Sequence, residues 1–288
     1  MNKSSQLRQL LARPGILIAP GCHDSLGARI VEEAGFSVAY MTGNGVAASM
    51  TGLPDAGLLT MTEMVDQARR IASAINIPLI CDADTGYGGI VNVMRTVREF
   101  ESAGVAAIHL EDQALPKKCA AMGGVKLVSL ESALGRIRAA LEARRSRDFV
   151  IIARTDARVT HDLEEAARRG RAMARAGADL VFVELLRSEE EAEFIARSIS
   201  APLVVDMTCY PGSERMRLEK LEAWGYKLAL YPLSATLLYA KGTLEYMQAL
   251  RQEGDEGEFL SRMMPLREYE RILRLPQLEE SAQRLEVD

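Results

Sequence analysis

Short apolar runs alternate along this chain with amphipathic segments that repeat at helical spacing. Eight runs of four or five residues are typical of buried strands. They are Ile16 to Pro20, Val38 to Met41, Pro78 to Cys81, Ala106 to Leu110, Phe149 to Ala153, Leu180 to Val183, Pro202 to Val205 and Leu228 to Tyr231. The segments between them predict helices at Glu63 to Ala74, Val91 to Ala103, Ser132 to Arg144, Leu163 to Ala176 and Glu189 to Ser198.

The spacing of the runs predicts the architecture. Successive runs begin about 30 residues apart, which is the length of one strand followed by a crossover helix. Eight such units predict a (β/α)8 barrel of the TIM type, which would occupy residues 1–240. A doubly wound open sheet is the main rival, but such a sheet rarely needs eight nearly continuous units.

A helical tail follows the eighth run, and residues 241–288 are predicted to form a C-terminal extension of the barrel. Helical spacing runs from Leu237 to Arg251 and again from Phe259 to Leu285, with a Gly- and Glu-rich break between them. The Leu, Ile and Met residues of this tail need cover. Either a neighbouring subunit or the chain's own barrel can supply it.

Composition adds limits on partners and compartment. The 288 residues are 48% hydrophobic and 26% charged, which is ordinary for a globular protein, and the net charge of -5 argues against nucleic-acid binding. Neither a secretory signal nor a run of membrane-spanning length is present, so a cytoplasmic protein without membrane contact is predicted. The four cysteines form no C-x-x-C pair and are interpreted as free thiols.

Candidate chemistry follows the ends of the predicted strands, where barrel enzymes carry their active residues. The positions there are Thr42, Gly43, Asp82, Asp84, His109, Glu111, Arg154, Glu184, Asp206 and Thr208. Most of the charged ones are acidic, and oxygen ligands favour Mg²⁺ or Mn²⁺. In an extended strand Asp82 and Asp84 would point to the same side, and Arg154 would then hold a substrate carboxylate in a bidentate fork.

A second candidate is Cys119, in a polar loop that contains glycines. Lys117 and Lys118 precede it, so the nearby positive charge is expected to favour its thiolate and allow proton transfer near neutral pH. The alternative is a small, partly buried residue without a chemical role. The length of the loop also indicates a lid that excludes water from the site.

Six motifs together resemble the isocitrate lyase and phosphoenolpyruvate mutase superfamily, from about Ile16 to Lys241. They are Tyr40-Met-Thr-Gly-Asn-Gly, Asp82-Ala-Asp-Thr-Gly-Tyr-Gly, His109-Leu-Glu-Asp-Gln, Lys117-Lys-Cys, Ile152-Ala-Arg-Thr-Asp-Ala and Leu230-Tyr-Pro-Leu-Ser-Ala. The chain is most similar to the short branch of methylisocitrate lyase-like and dimethylmalate lyase-like proteins. This resemblance implies a barrel whose C-terminal helix is swapped between the subunits of a homotetramer.

The resemblance also implies roles for individual residues. Asp82 would bind Mg²⁺ directly, while Asp84 and Glu111 would act through water. Cys119 would protonate the carbanion left when a 2-hydroxy acid is cleaved in retro-aldol fashion to a 2-oxo acid such as pyruvate or glyoxylate. Tyr40 or Lys117 would handle the proton of the substrate hydroxyl. Thr42 and Gly43, through their backbone amides, and Arg154 would bind the 2-oxo acid half of the substrate. Asp55 would lie near the metal.

Four positions depart from the family pattern. Ala120 and Ala121 replace the Gly and His that help to hold the far carboxylate of tricarboxylic substrates, Asp206 replaces an Asn that contacts the same group, and Asn44 replaces a Gly. These changes predict a substrate whose tail is shorter, uncharged or cationic. An oxaloacetate decarboxylase, or a hydrolase of oxaloacetate or phosphonopyruvate, remains the alternative, and Cys119 distinguishes the lyase from it. Dinucleotide binding at Gly43 to Ala48 and a site without activity are further alternatives.

Overall fold

Eight parallel strands close into a single barrel in the computed structural model, which describes residues 2–208 and 212–286. The strands are β1 (Leu17–Cys22), β2 (Ala39–Met41), β3 (Leu79–Asp82), β4 (Ala107–Glu111), β5 (Val150–Thr155), β6 (Leu180–Val183), β7 (Leu203–Asp206) and β8 (Tyr226–Tyr231). Every predicted run contains one of them. Closure comes from β1 and β8, which pair in parallel from Leu17 with Leu228 to Pro20 with Tyr231. The predicted barrel is confirmed, and the open sheet is wrong.

Helices cover the outside of the barrel and follow each strand. In the described residues they are α1 (Lys3–Ala12), α2 (Ser25–Glu33), α3 (Gly43–Thr51), α4 (Met61–Ala74), α5 (Ile90–Ser102), α6 (Leu130–Ala143), α7 (Ala157–Thr160), α8 (Leu163–Arg175), α9 (Glu189–Ser198), α10 (Leu218–Ala223), α11 (Ser234–Glu253), α12 (Leu266–Ile272) and α13 (Leu275–Leu285). The helices predicted from sequence periodicity did not include α1, α2, α3, α7 and α10. None of the helices in the described part of the chain is long and apolar enough to cross a membrane.

The inside of the barrel is filled by apolar side chains. These side chains come from alternate positions of the strands, as the period of two in a strand requires. The fully buried Leu7 of α1 belongs to the same cluster as interior residues such as Ile80, Val150 and Leu180. The amino-terminal end of the barrel is therefore closed, and the opposite end is the one that can hold a site.

The tail begins within α11, so the predicted boundary at residue 240 falls inside a helix. Part of the tail packs on its own barrel, where Arg271 pairs with Glu33 and Arg274 with Glu32 of α2. In contrast, α11 has no buried residue, and its Leu238 is 73% exposed. Exposed large apolar side chains also include Leu237, Leu244, Met247, Leu260, Leu266 and Leu278. An apolar face of this extent is typical of a surface that another protein copy covers.

We expect this face to be buried in a homotetramer, so the purified protein should have a mass near four times the 31.6 kDa of one chain. Light scattering after size-exclusion chromatography measures this mass. Leu238→Lys should produce smaller species, because it places a charge in the apolar face. Gln252→Lys, near the exposed end of α11, is the matched control and should leave the mass unchanged. A monomer in the wild type would contradict the prediction.

Candidate active site

A cleft opens at the carboxyl end of the barrel. Its charged and polar lining comes from Tyr40, Thr42, Asn44, Asp55, Asp82, Glu111, Lys117, Lys118, Cys119, Arg154, Glu184 and Asp206. Eleven of the predicted site residues therefore meet in one place, and among these twelve residues only Lys118 was not predicted as part of the site. Gly43, Asp84, His109 and Thr208 do not line the cleft.

The alternation of side chains along the strands explains this convergence. On β3, Ile80 belongs to the interior cluster and Asp82 lies two residues later, at the cleft. The same step leads from Ile152 to Arg154 on β5 and from Val204 to Asp206 on β7. Each of these charged residues thus continues an inward-facing column of apolar residues into the mouth of the barrel.

Asp82 stands between a neutral histidine and a glycine that allows its close approach. Burial raises its pKa, but the interaction with His109, the positive charges of Lys117 and Arg154 and a hydrogen bond from the Asp84 amide oppose burial and lower the pKa to about 2. A methyl group on Gly43 would lie only 2.5 Å from Asp82 Oδ2, so a side chain there would displace the carboxylate. The role of Gly43 in this structure is to leave room for Asp82.

His109 does not contact the cleft, which corrects its prediction as a substrate-binding residue. Its side chain is fully buried, and its Nε2 lies 2.8 Å from the hydroxyl of Tyr40. Burial is the main cause that lowers the pKa of His109 to about 4, so the ring is neutral at pH 7. It therefore orients Tyr40, which does line the cleft, and whose own pKa burial raises well above the usual value.

Asp84 reaches its position by a route different from the predicted one. The strand β3 ends at Asp82, and Asp84 has a left-handed backbone (φ 50°), so the period of two no longer applies. Its carboxylate contacts the ammonium of Lys117, which also lies 2.8 Å from Asp55 Oδ1. Lys117 thus supplies positive charge beside these acids, in addition to the metal ion that the sequence predicts.

Arg154 is held by Asp156 along one edge of its guanidinium. Its Nε donates to Asp156 Oδ1 (2.8 Å) and its Nη2 to Asp156 Oδ2 (3.2 Å), while Glu111 and Glu184 lie 3.5 and 3.4 Å away. The other edge consists of Nη1 and the second N–H of Nη2, and within the described chain Nη1 makes no hydrogen bond. The bidentate clamp on a substrate carboxylate therefore stays a prediction for this second edge.

The acids of the cleft fit a magnesium ion that keeps most of its water ligands. Among the described residues, no three His, Cys, Asp or Glu side chains are arranged to hold a metal by themselves. The Oε1 atom of Glu111, however, is buried without a hydrogen-bond partner, and burial raises the pKa of this carboxyl well above its usual value. Mg²⁺ characteristically binds one or two carboxylates together with water and substrate oxygens, which this donor set allows.

The amino end of α3 brings backbone donors to the same cleft. Thr42 caps this helix and accepts from the Gly45 amide (3.3 Å), and both Thr42 and Asn44 line the cleft. The amides of the first turn have no partner inside a helix, so they favour an anionic ligand. The Thr42 amide, however, donates to the Cys22 carbonyl oxygen (3.2 Å), so of the two predicted carboxylate-binding amides only that of Gly43 stays a candidate.

The structure reverses the prediction made for the Cys119 thiol. Burial raises its pKa above the usual value, and Lys117 is turned to Asp55 and Asp84. The thiol therefore stays protonated at neutral pH, whereas the sequence argument expected a thiolate. Its backbone amide donates to the Asp55 carbonyl oxygen (2.9 Å), which fixes the loop against the segment after α3. Of the other cysteines, Cys22 and Cys81 are buried free thiols, and Cys209 lies outside the described residues.

Two acids from neighbouring strands line the far side of the cleft. Asp206 ends β7, and its Oδ1 accepts from the Thr208 amide (2.7 Å). Glu184 is buried beside it, with Oε2 lacking a hydrogen-bond partner, and burial raises its pKa well above the usual value with a further contribution from the Asp206 charge. Thr208 itself lies in a neighbouring groove with Met207 and Tyr231, so the structure does not support direct contact with a ligand in the cleft.

Comparison with known proteins assigns this architecture to a family. The family model described as phosphoenolpyruvate phosphomutase matches residues 7–248. The chain belongs to this family. The predicted membership of the isocitrate lyase and phosphoenolpyruvate mutase superfamily is confirmed, as is the predicted class of enzyme, a carbon–carbon lyase.

Three members of the superfamily show how far the similarity extends. The 2,3-dimethylmalate lyase of Eubacterium barkeri is 42% identical over 280 residues, which are 97% of each chain. The 2-methylisocitrate lyase of Halalkalibacterium halodurans is 38% identical over 270 residues, covering 93% of this chain and 89% of that protein. The solved structure of phosphonopyruvate hydrolase with oxalate and Mg²⁺ has a TM-score of 0.90 and 31% identity, with 99% of each chain covered.

Sequence reasoning missed several residues of this family site. Phe182, Leu230, Pro232 and Leu233 form apolar parts of the lining. The ring of Phe182 lies 5.4 Å from the Arg154 guanidinium carbon, close enough for a cation–π contact. The position of Phe182, two residues before Glu184 on an inward-facing column, was the available signal. Asp156 and Gln113 belong to two of the six motifs, but their contacts could not be predicted because these contacts depend on which loops meet.

Proposed function

We propose that this protein is a Mg²⁺-dependent lyase that cleaves a 2-hydroxy dicarboxylic acid of the dimethylmalate type into a 2-oxo acid and a second carboxylic acid. The observation that carries the proposal is the protonated Cys119 thiol in one cleft with Asp82 and Arg154. A proton donor, a cation-binding carboxylate and a fixed positive charge are what retro-aldol cleavage of a 2-hydroxy acid requires. The similarity to the dimethylmalate lyase supports the same substrate class.

In this reaction the C2–C3 bond breaks while the 2-hydroxyl becomes a carbonyl. Its electron pair passes to C3, and C3 then takes a proton from Cys119. Asp82, Asp84 and Glu111 would hold the ion, which when bound polarises the oxygens of the 2-hydroxy acid half. The Thr42 amide donates to the Cys22 carbonyl oxygen (3.2 Å), so the first-turn amides of Gly43 and Asn44 are the ones that would hold the carboxylate of that half.

The hydroxyl proton is assigned to Asp84, which Lys117 contacts. The surrounding carboxylates raise the pKa of Lys117 by more than burial lowers it. Lys117 is therefore protonated at neutral pH. Burial, with the nearby Asp82 and Asp55 charges, raises the pKa of Asp84 to about 6. Lys117 therefore keeps its proton and would donate a hydrogen bond to the substrate oxygen, while Asp84, which is mostly ionised at neutral pH, would accept the proton of the hydroxyl. Tyr40 is protonated and lies 2.8 Å from His109 Nε2, so it would donate to the substrate oxygen in the tautomer in which His109 Nε2 carries the ring proton.

The far side of the cleft supports a substrate without a third carboxylate. Asp206 lies on this side, its negative charge contributes to the raised pKa of Glu184, and Arg154 already contacts Asp156, Glu111 and Glu184. A carboxylate tail of the methylisocitrate type would be repelled there. A methyl or another short uncharged tail avoids this cost.

The test is a substrate panel in which pyruvate or glyoxylate release is measured with and without Mg²⁺. 2,3-Dimethylmalate should be cleaved at least about tenfold faster than methylisocitrate by the wild type, and Asp206→Asn should reduce this preference by about tenfold. The control is Asp162→Asn, at the exposed start of α8, which should leave the preference unchanged. Faster turnover of methylisocitrate by the wild type would refute the proposed tail.

A hydrolase of oxaloacetate or phosphonopyruvate is the second candidate function. This candidate is supported by the structural similarity to phosphonopyruvate hydrolase, which was solved in complex with oxalate and Mg²⁺. The same panel distinguishes the two functions. Oxalate release from oxaloacetate, or phosphate release from phosphonopyruvate, in the absence of cleavage of any 2-hydroxy acid would establish hydrolysis and exclude the lyase.

A further inference from the structure

The Gln113 side chain bridges the loop that carries Cys119 and the carboxylate that orients Arg154. Gln113 follows the end of β4 and is 1% exposed. Its Oε1 accepts from the backbone amide of Lys118 (3.1 Å), and its Nε2 donates both to the Lys118 carbonyl oxygen (2.9 Å) and to Asp156 Oδ2 (2.6 Å). One carboxamide thus uses its acceptor and its donors on two separate parts of the site.

The Asp156 side of this bridge determines the pose of Arg154. Asp156 accepts from both Nε and Nη2 of Arg154, and its Oδ2 accepts from Gln113 at the same time. The backbone amide of Asp156 is also fixed, because it donates to Asp112 Oδ1 (3.0 Å). A change at Gln113 therefore removes one of the two side chains that donate to the Asp156 carboxylate.

The Lys118 side of the bridge holds the tip of the loop. Lys118 stands between Lys117 and Cys119, and all three line the cleft. The base of the loop is held by backbone pairing, in which the Ala114 amide donates to the Lys126 carbonyl oxygen (2.7 Å). At the tip, the Gln113 carboxamide binds the Lys118 backbone as a neighbouring strand would, and no other described side chain does so.

We propose that Gln113 is a positioning residue that couples closure of the Cys119 loop to the orientation of Arg154. The reason is chemical: glutamine at this place has an acceptor for the Lys118 amide and two donors for Lys118 and Asp156. Glutamate would keep the acceptor only and would add a negative charge beside Asp156. When the loop is closed, the Cys119 thiol and the Arg154 guanidinium are therefore positioned in the cleft at the same time. This coupling goes beyond the proposed function and does not depend on the identity of the substrate.

The test is the accessibility of Cys119 in Gln113→Met, a variant of similar volume without any of the three hydrogen bonds. The probe is iodoacetamide, and peptide mass spectrometry separates Cys119 from the other cysteines. Alkylation of Cys119 should be about tenfold faster than in the wild type, as expected for a closed state that loses one or two net hydrogen bonds. Gln67→Met is the matched control, because Gln67 is a buried glutamine that donates to the His23 carbonyl oxygen, away from the loop.

The control should alkylate within about twofold of the wild type, although it loses a buried hydrogen bond of its own. Equal rates in the Gln113 and Gln67 variants would overturn the proposal. Should Gln113→Met not fold, Gln113→Glu answers the same question, because it fills the same space and loses both donations. Alkylation needs no turnover, so the result is independent of whether the proposed lyase reaction is correct. With an active substrate, kcat/KM should fall about tenfold in the Gln113 variants only.

Discussion

Asp82→Asn is expected to lower kcat/KM for the preferred 2-hydroxy acid by at least about 1000-fold. The carboxylate is the one acid that ends an inward-facing column, lines the cleft and has a pKa lowered to about 2, so it is ionised at neutral pH. Removing it removes the negative charge to which a divalent cation would bind, and the polarisation supplied by such a cation is worth several kcal/mol in the transition state. Mg²⁺ binding should be lost in parallel, as calorimetry in the presence of oxalate would show.

Asp179→Asn is the matched control for this variant. Asp179 is also paired with arginines, Arg8 and Arg144, but it precedes β6 at the opposite end of the barrel. We expect it to change thermal stability without changing Mg²⁺ affinity. If Asp82→Asn bound Mg²⁺ as tightly as the wild type, the assignment of the metal to this end of the barrel would be wrong.

Cys119→Ser is expected to lower cleavage of the 2-hydroxy acid by about 100- to 1000-fold, the usual contribution of a positioned general acid. A serine hydroxyl has nearly the same shape but is a much weaker acid than a thiol, so the carbanion at C3 would remain unprotonated for longer. Binding of Mg²⁺ with oxalate should be unchanged, because Cys119 is not among the acids that would hold the ion. Single-turnover kinetics, with release of the 2-oxo acid and of the second acid followed separately, should show slow formation of the second acid.

Cys22→Ala is the control for this second variant. Cys22 is buried at the end of β1 and does not line the cleft, so its loss should leave the rate within about twofold of the wild type. Unchanged cleavage in Cys119→Ser would remove the main support for the lyase reaction. Hydrolysis of oxaloacetate or phosphonopyruvate would then be the function to test, with the same cleft and the same metal.

Much of this site could be predicted from local pattern because strand geometry repeats. Apolar runs ending in Asp82, Arg154 and Asp206 place those side chains at one end of a parallel barrel whatever the details of packing. The residue types that follow the predicted strands likewise sufficed to predict a mostly acidic site that contains a single arginine. These inferences depend on a period of two residues and on the closure of eight units, and both are properties that sequence alone can express.

The chain's own sequence therefore determined the barrel, the end of the barrel that carries the site and the residue types that meet there. Only the tertiary structure decided their chemical states. Burial turned Cys119 from an expected thiolate into a thiol and His109 into a neutral support for Tyr40, while the left-handed turn at Asp84 and the pairing of Asp156 with Arg154 redirected two predicted contacts. The physical reason is that pKa values and hydrogen-bond partners depend on which distant segments exclude water from a group, and spacing along the chain does not contain that information.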